Sequence, residues 1–296
     1  MELFFMSPPG PRWALRGRAN FRSEHASQVD PARARTEWSS LADAIESRGG
    51  TIVCLEPPAD STLTGLPYAA ECGHVVERDG KLVFLLPTMI AEHRKQERVL
   101  WAQVAKDLGL DVVDVVAESH DPEAIWEAQG DIASFRETTL LFYGGRTTER
   151  AARCAAGYFG SNVELLEIRQ PAFHGNMALL PLDAVDRLVV CREVIVGDGY
   201  QRLVERFGQS ALIEVSEDEI RLYATNGLPM GRDLLIPHLV PPRVRERLEQ
   251  AGMTMVELSM TELCEKAGGA SRCLVSRVTV SKALKIPAAY RRTPTL

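Results

Sequence analysis

The sequence predicts an α/β protein made of five repeated strand–strand–helix–strand (ββαβ) units. First, an amphipathic helix, a glycine stop and a short β-branched strand follow one another five times along the 296 residues. Second, hairpin-like segments lie between these copies. Third, the period is on the order of fifty residues, a spacing typical of arrays and propellers. Five such units fit a closed ring, so we expect a five-fold pseudosymmetric α/β propeller.

The first copy, DPARARTEWSSLADAIESRGGTIVCLEP, illustrates the plan. Asp30 is a good N-cap, and Pro31 suits the first helical turn. Gly49 and Gly50 end the helix, and residues 51–55 form the strand. The apolar face of this helix is predicted to consist of Trp38, Leu41, Ala42 and Ile45.

Four further copies follow the same order of helix, glycine and strand. They are AEHRKQERVLWAQVAKDLGLDVVDVVAES, TTERAARCAAGYFGSNVELLEIRQP, DGYQRLVERFGQSALIEVSED and PPRVRERLEQAGMTMVELSM. In the second copy we predict an apolar face of Leu100, Val104 and Leu108. The predicted hairpins are HVVERDGKLVFLLP, with Asp79-Gly80 at its turn, IASFRETTLLFYGG, RLVVCREVIV and IRLYATNGLPMGRDLLIP.

The alternative architecture is a doubly wound parallel sheet, whose βα alternation also produces helix–glycine–strand segments. No glycine fingerprint follows the first strand, and the extra hairpin in each unit does not belong to a simple βαβ series. No low-complexity segment or linker separates the copies. We therefore expect residues 1–296 to form a single catalytic domain.

Composition and charge exclude several classes of function. The formal net charge is −6, and no Lys/Arg block is present, which argues against a nucleic-acid partner. No apolar run is long enough to span a bilayer, and the N-terminus lacks the pattern of a signal peptide. The six cysteines are scattered without a C-x-x-C pair, so we expect reduced thiols, no metal site, no cofactor and a cytoplasmic protein.

Cys273 is the candidate nucleophile. In AGGASRCLVSRV it follows the pair Gly268-Gly269, which ends a short helix, and it precedes an apolar strand. The thiol is therefore expected at the start of a strand rather than inside it. A buried, inert thiol is the alternative, and base rates for cysteine favour it.

A reactive thiol needs an acid or base and a carboxylate that orients it. Among the six histidines, His174 in IRQPAFHGNMALLPLD lies between two predicted strands and is our candidate. A structural histidine is the alternative. Glu127 and Asp131 flank Gly130 at the entrance of an apolar strand, where unpaired acids are costly. A turn in which Asp131 bonds local backbone is the alternative there.

Together, these segments resemble the amidinotransferase/dimethylarginine dimethylaminohydrolase superfamily, the guanidino-group-modifying enzymes with the pentein fold. LSMTELCEKAGGASRCLVSRV is similar to the ending that carries the family's nucleophilic cysteine, and FHGNMALLPL to its histidine segment. WEAQGDI resembles its acidic turn, and YGGRTTERA its arginine segment. SPPGPRWALRGRANFRS and YATNGLPMGRDLLIP resemble its opening and a late strand pair. The resemblance covers nearly the whole chain in order and implies the pentein α/β propeller.

The resemblance implies a role for each candidate residue. Cys273 would attack the central carbon of a guanidine-like group, His174 would act as acid and base, and Glu127 would orient His174. The implied substrate-binding residues are Glu71, Asp131, Arg146 and Asn176, with Arg146 facing a substrate carboxylate. No metal and no cofactor are implied.

Several positions depart from the family pattern. Cys72 stands where guanidinium-binding members usually have an aspartate or asparagine, which leaves Glu71 as the acid there. Asn176 replaces the aspartate of the histidine motif, and an arginine expected after the first hairpin is missing from LVFLLP. Because each lost charge-assisted hydrogen bond is worth roughly 1.5–3 kcal/mol, an amidine or ureido substrate becomes plausible beside a guanidine.

Three functions are compatible with these features. The leading hypothesis is a cysteine-dependent hydrolase that cleaves a C–N bond in a guanidino or amidino compound through a covalent adduct. An amidinotransferase would use the same adduct and pass it to an amine. A pentein that binds a ligand without turnover is the third, because of the altered residues at Cys72 and Asn176. The expected partner is a small molecule, and a homodimer is left open.

Overall fold

The computed structural model describes residues 1–16, 20–26 and 28–293. The strands are β1 (Glu2–Met6), β2 (Thr51–Cys54), β3 (His74–Arg78), β4 (Lys81–Leu86), β5 (Asp111–Asp114), β6 (Ile132–Phe135), β7 (Thr138–Tyr143), β8 (Val163–Glu167), β9 (Leu179–Leu182), β10 (Arg187–Val190), β11 (Leu212–Glu214), β12 (Leu228–Met230), β13 (Asp233–Pro237), β14 (Thr254–Leu258) and β15 (Ser276–Thr279). The α-helices are α1 (Pro31–Glu46), α2 (Glu97–Asp107), α3 (Val115–Ser119), α4 (Glu149–Ala156), α5 (Gly175–Ala178), α6 (Gly199–Phe207), α7 (Glu217–Arg221) and α8 (Pro242–Gln250).

The described strands form five three-stranded sheets on one plan, with the orders β15-β1-β2, β3-β4-β5, β6-β7-β8, β9-β10-β11 and β12-β13-β14. In every sheet the middle strand is antiparallel to the first strand and parallel to the third. A helix lies in sequence between the two parallel strands, as a parallel connection requires. The α/β class and the repeated ββαβ unit are confirmed, and the doubly wound sheet is excluded for the described strands.

Helix α1 forms as its sequence predicts. The Asp30 side chain accepts hydrogen bonds from the backbone amides of Ala32 and Arg33, which satisfies two amides that the helix leaves unpaired. The predicted apolar face, Trp38, Leu41, Ala42 and Ile45, is buried. Burying such side chains stabilises the fold by roughly 1.5–3 kcal/mol each for the large aliphatic ones.

Two of the three residues of the predicted apolar face of helix α2, Val104 and Leu108, are buried. Its buried side chains include Trp101, Val104 and Ala105, whereas Leu100 is only half-buried. The position of Val104 is as predicted, but the larger Trp101 ring takes the interior place expected for Leu100. An aromatic side chain gains more from burial because it removes more apolar surface from water.

One predicted hairpin does not form, and one antiparallel pair was not predicted. RLVVCREVIV is not a hairpin, because Arg192–Val194 forms a 3₁₀ turn and β10 pairs instead with β9, which precedes it. The first sheet obtains its antiparallel pair from the two ends of the chain: Glu2 of β1 lies opposite Thr279 of β15. The N- and C-terminal segments are therefore joined by a strand ladder.

The first strand of every unit contributes to one cavity. Residues of β3, β6, β9, β12 and β15 line a space of about 720 Å³, which we call the strand cavity. Its lining includes residues 74–77, 132–134, 180–181, 228–229 and 277–279. No helix in the described ranges is long and apolar enough to span a bilayer.

Candidate active site

Every predicted site residue but Arg146 lies in a short segment just before the first strand of a unit. Glu71 ends a 3₁₀ turn (Ala69–Glu71) before β3, and Glu127 and Asp131 flank a second turn before β6. His174 and Asn176 lie at the start of α5, which leads into β9, and Cys273 precedes β15. Arg146 lies between β7 and α4. Equivalent positions in different units are thus brought together.

His174 and Glu127 form a buried pair. Nε2 of His174 lies 2.6 Å from Oε2 of Glu127, and both side chains are inaccessible to solvent. The ring packs on Gly130, where a Cβ atom would come within 3.2 Å of it. Burial by itself lowers the pKa of His174, but the carboxylates of Asp131, Glu71 and Glu127 outweigh this effect and raise it. The imidazolium is therefore more favoured than that of an ordinary histidine.

The pair belongs to a chain of alternating charges. Nδ1 of His174 lies 3.4 Å from Oε1 of Glu71, whose Oε2 accepts a hydrogen bond of 2.5 Å from Arg94. Arg94 in turn pairs with Glu97 at 2.9 Å. At the other end, Arg146 donates to Oε2 of Glu127 at 3.3 Å. Opposite charges at each step are what allow so many ionised groups to be buried together.

The surrounding charges keep the carboxyl group of Glu127 ionised. Burial disfavours its carboxylate, but the hydrogen bond with His174 and the charge of Arg146 lower its pKa well below the usual range. Its other oxygen, Oε1, accepts a hydrogen bond of 2.9 Å from the amide of Ile90. Glu127 therefore stays ionised and orients the imidazole through Nε2. Nδ1 of His174 has no hydrogen-bond partner among the described residues, and it lies 3.4 Å from Oε1 of Glu71.

The side chain of Asp131 bonds to residues outside its own turn. Its carboxylate accepts hydrogen bonds from Thr147 Oγ1 at 2.6 Å and from the amide of Gly175 at 2.8 Å. These partners are distant in sequence, so the local turn alternative is wrong. Burial raises the pKa of Asp131 to about 6, against the opposing effect of His174. Asp131 thus fixes the backbone that carries His174.

The sulfur of Cys273 is buried beside an amide. Asn176 Nδ2 donates to Sγ at 3.6 Å, and the side chain of Asn226 also favours the thiolate. Burial, followed by the negative charge of Glu71, raises the pKa of Cys273 to about 12. The thiol is therefore neutral in the empty site at physiological pH. Oδ1 of Asn176 and Oδ1 of Asn226 have no hydrogen-bond partner among the described residues.

The glycine pair before Cys273 allows close packing. Gly268 has φ +93°, and a Cβ atom there would lie 2.2 Å from Oδ1 of Asn20. At Gly269 a Cβ atom would lie 2.3 Å from the Tyr68 ring. Only glycine leaves room for both contacts, so the pair is required for the loop to pass between the N-terminal segment and Tyr68.

Cys273 and Glu71 open onto a cavity of about 80 Å³, which we call the site cavity. Its wall also includes Arg94, Arg146 and Phe173. The Arg146 guanidinium lies 4.7 Å from the centre of the Phe173 ring, a cation–π distance. The rest of the lining is formed by Trp13, Ala14, Leu15, Arg16, Asn20, Ser23, Thr64, Gly65, Tyr68, His93, Ala267, Gly268 and Gly269.

Sequence reasoning missed three residues of this region. Arg94, in the segment after LVFLLP, lines the site cavity and pairs with Glu71. His93 lines the site cavity as well. Asn226 contacts the backbone of Asn176 through Nδ2 at 3.3 Å. The motif in YATNGLPM was the only available signal for Asn226, and none existed for His93.

Cys72 does not take the place of a substrate-binding acid. Its side chain is buried in an apolar cluster with Phe5, Val75 and Phe84, away from the site cavity. Burial raises its pKa above that of an ordinary thiol. The adjacent Glu71 is the residue that lines the cavity, so the site keeps an acid at this position. This agrees with the expectation that Glu71 is the acid of this segment, with Cys72 beside it. Gly17, Arg18 and Ala19 of the opening motif lie outside the described residues.

The same chain matches the family described as N,N dimethylarginine dimethylhydrolase, eukaryotic, over residues 18–280. The chain belongs to this family. The prediction of the superfamily and of an enzyme that modifies guanidino groups is confirmed. In the described residues, no group of three or more His, Cys, Asp or Glu side chains is arranged to hold a metal ion.

Two curated relatives resemble this member of the dimethylarginine dimethylhydrolase family. An uncharacterised protein of Caenorhabditis elegans, ZK1307.1, is 25% identical over 84% of this chain and 85% of its own length. The N(G),N(G)-dimethylarginine dimethylaminohydrolase of Mycobacterium tuberculosis is 25% identical over 91% of this chain and 83% of its own. Both alignments span most of both proteins.

Solved structures share the fold. The N-terminal domain of ArgZ, a cyanobacterial arginine dihydrolase, superimposes with a TM-score of 0.83 at 21% identity, covering 94% of this chain and 98% of that one. That domain has been solved covalently bound to a reaction intermediate. A histidine-to-glycine variant of dimethylarginine dimethylaminohydrolase, in an adduct with S-methyl-L-thiocitrulline, gives 0.68 at 18% identity over 93% and 99%.

Proposed function

We propose that this protein is a cysteine-dependent hydrolase that cleaves a C–N bond of a guanidino or amidino compound through a covalent adduct on Cys273. The observation that carries the proposal is the convergence of Cys273 and Glu71 on the site cavity, with the His174–Glu127 pair directly behind Glu71. A thiol, an imidazolium and an orienting carboxylate are the groups that nucleophilic C–N cleavage needs.

The charges of the site fit a cationic group. The carboxylate of Glu71 acts electrostatically on both His174 and the sulfur of Cys273. The side-chain oxygens of Asn176 and Asn226 have no hydrogen-bond partner among the described residues. Guanidinium and amidinium groups carry several N–H donors and a positive charge. A bound cation also favours the thiolate, because it offsets the burial and the negative charge that raise the pKa of Cys273. We infer that substrate binding activates the nucleophile.

The reaction then proceeds in two halves. When the substrate binds, the Cys273 thiol releases its proton to solvent. The thiolate adds to the central carbon, and the C–N bond breaks while the imidazolium of His174 gives its Nδ1 proton to the departing amine. Water then attacks the same carbon and loses a proton to the now neutral His174. The tetrahedral adduct collapses to a urea-type product and releases the sulfur. Glu127 keeps the imidazole oriented and stabilises its charge throughout.

Arg146 is the proposed partner of a substrate carboxylate. It lines the site cavity and is held by Glu127 on one side and by the Phe173 ring on the other. Arg94 is already paired with both Glu71 and Glu97, so its charge is balanced within the protein. We infer that the substrate is an amino-acid derivative whose carboxylate points toward Arg146.

The relatives narrow the substrate class. One curated relative is a dimethylarginine dimethylaminohydrolase, and a structural neighbour is an arginine dihydrolase. We therefore propose to test arginine, N-methylated arginines, amidines and ureido amino acids for release of amine or ammonia. The C273S variant should release none, and C154S, which changes a half-buried cysteine, should behave like the wild type. Activity in C273S on every substrate would contradict the proposal.

An amidinotransferase is the second candidate, since it needs the same groups. Mass spectrometry of the Cys273 adduct, with and without an added primary amine, distinguishes the two. A hydrolase loses the adduct to water at the same rate in both samples. A transferase retains the adduct until the amine is added and then gives a new guanidine product.

We also infer that the five units surround one axis as a pentein propeller. What supports this is that the first strands β3, β6, β9, β12 and β15 all line the strand cavity, and that the candidate site residues precede these strands. The same arrangement supports a single domain for the whole chain. Small-angle scattering of the monomer checks it, because a globular particle is expected rather than two lobes joined by a linker.

A further inference from the structure

The strand cavity contains a half-buried arginine without an acidic partner. Arg272 donates through Nη1 to the carbonyl of Leu179 at 2.5 Å and through Nη2 to that of Ile132 at 3.5 Å. Among the residues that the structure describes, no carboxylate lies within ion-pair distance of it. Burial lowers the pKa of Arg272 to about 10, so the guanidinium is still charged at neutral pH. A buried charge normally requires compensation.

A second arginine of the same cavity increases the positive charge. Arg277 acts on Arg272 as a like charge and lowers its pKa further. Arg277 itself is held by Glu2, with Nε at 3.0 Å from Oε1, and by the carbonyl of Pro229 at 2.7 Å from Nη1. Two guanidinium groups that repel each other across a solvent-accessible space form a setting that an anion would stabilise.

The acidic partners in this region belong to Arg277 rather than to Arg272. Glu2 pairs with Arg277, and the charge of Arg277 acts on Asp183, which is exposed like Glu77, the other acid of the lining. His74 is neutral at physiological pH because burial lowers its pKa to about 4. Arg272, which bonds to backbone carbonyls, therefore keeps an uncompensated positive charge in the cavity.

We propose that the strand cavity binds a small oxyanion, such as a phosphate or carboxylate group, at the guanidinium groups of Arg272 and Arg277. The planar fork of arginine matches both groups in a bidentate manner. A space of about 720 Å³ also accommodates a metabolite that carries such a group.

An anion bound in the strand cavity affects Cys273 because Arg272 and Cys273 are adjacent in the chain. Arg272 directly precedes Cys273, and its positive charge favours the thiolate. An anion bound at Arg272 offsets that charge, so it disfavours the thiolate and slows reactions of Cys273. The strand cavity is thus an inhibitory site on the side of the nucleophile opposite to the substrate.

The test is titration calorimetry with inorganic phosphate and, separately, succinate, at constant ionic strength. The proteins are the wild type, R272Q, R277Q and the control R136Q, in which an exposed arginine paired with Asp186 is changed. We expect saturable binding of at least one anion, weakened roughly ten- to hundred-fold in R272Q and R277Q and unchanged in R136Q. Tighter binding of phosphate than of succinate identifies a phosphate-type ligand, and the reverse identifies a carboxylate.

A second measurement reports the coupling. Iodoacetamide alkylation of Cys273, followed by peptide mass spectrometry, should slow when the bound anion is added to the wild type, and the effect should be lost in R277Q. Neither experiment uses turnover, so the result is independent of the proposed hydrolase activity. The proposal is overturned if no anion binds saturably. It is also overturned if R277Q binds the anion as tightly as R136Q does, and this comparison holds even if R272Q does not fold.

Discussion

The site cavity and the strand cavity are built from the same five units but differ in lining. The site cavity of about 80 Å³ is lined by residues outside the strands, among them one acid, Glu71, and the arginines Arg16, Arg94 and Arg146. The strand cavity of about 720 Å³ is lined largely by the first strands of the units, and its arginines are Arg272 and Arg277. One scaffold thus carries a small cavity lined by turns and loops and a large cavity lined by strands.

The difference reflects how freely a side chain can be oriented in a strand and in a turn. A strand residue is committed to the ladder, and its side chain alternates between the two faces, so its freedom is small. A residue in a preceding turn has neither restriction and can be aimed at a common point. The reactive groups therefore lie in turns held by rigid strands.

The largest expected effect separates the two cavities directly. Changing Cys273 to Ser in the site cavity should lower turnover on the order of a thousandfold or more, because the nucleophile is lost. Steady-state assays with the best substrate measure it, and circular dichroism checks that the fold is kept. Equal activity in C273S and C154S would place the chemistry elsewhere.

The second effect concerns the charge chain behind Glu71. E127Q should lower turnover roughly a hundred- to ten-thousand-fold, since proton transfer loses its orienting group. Without Glu127 the pKa of His174 falls, so the imidazolium is lost at a lower pH. The alkaline limb of the pH–rate profile should accordingly move to lower pH. An alkaline limb at the same pH in E127Q as in the wild type would show that Glu127 does not act through His174.

The third effect is the response of Cys273 to pH in the empty enzyme. Because its pKa is raised to about 12, the thiolate fraction and the rate of alkylation should rise about tenfold per pH unit from neutral pH upward. A guanidinium ligand should raise the rate at constant pH, and N176A should lower it because the amide donor to Sγ is removed. A rate that levels off near pH 8 would mean that the sulfur is already activated.

The smallest expected effect concerns Arg277 in the strand cavity. R277Q in the strand cavity breaks a half-exposed ion pair with Glu2, which costs roughly 1 kcal/mol or less. Turnover in the absence of anions should therefore stay close to that of the wild type. Thermal unfolding and the standard assay measure both quantities. Loss of turnover comparable to that of C273S would mean that the two cavities are not functionally distinct.

Much of this arrangement could be predicted because it is local. The Asp30 cap, the apolar face of α1 and the Asp79-Gly80 turn depend on residues a few positions apart. The pairing of β1 with β15 depends on segments from opposite ends of the chain, and nothing in either segment specifies its partner. The 187–196 hairpin was wrong for a similar reason: β10 has two candidate neighbours, and tertiary packing selects β9.

The sequence by itself determined the repeated unit, its helices and the residue types available for chemistry, since these follow from periodicity and from side-chain reactivity. Only the tertiary structure decided that Cys72 packs in an apolar cluster, that Arg94 joins the charge chain, and that Arg272 lines the strand cavity while Cys273 lines the site cavity. The physical reason is that adjacent residues of a chain can point to opposite sides of a wall. Which side each one faces is set by the packing of distant units, whose contacts no short stretch of sequence contains.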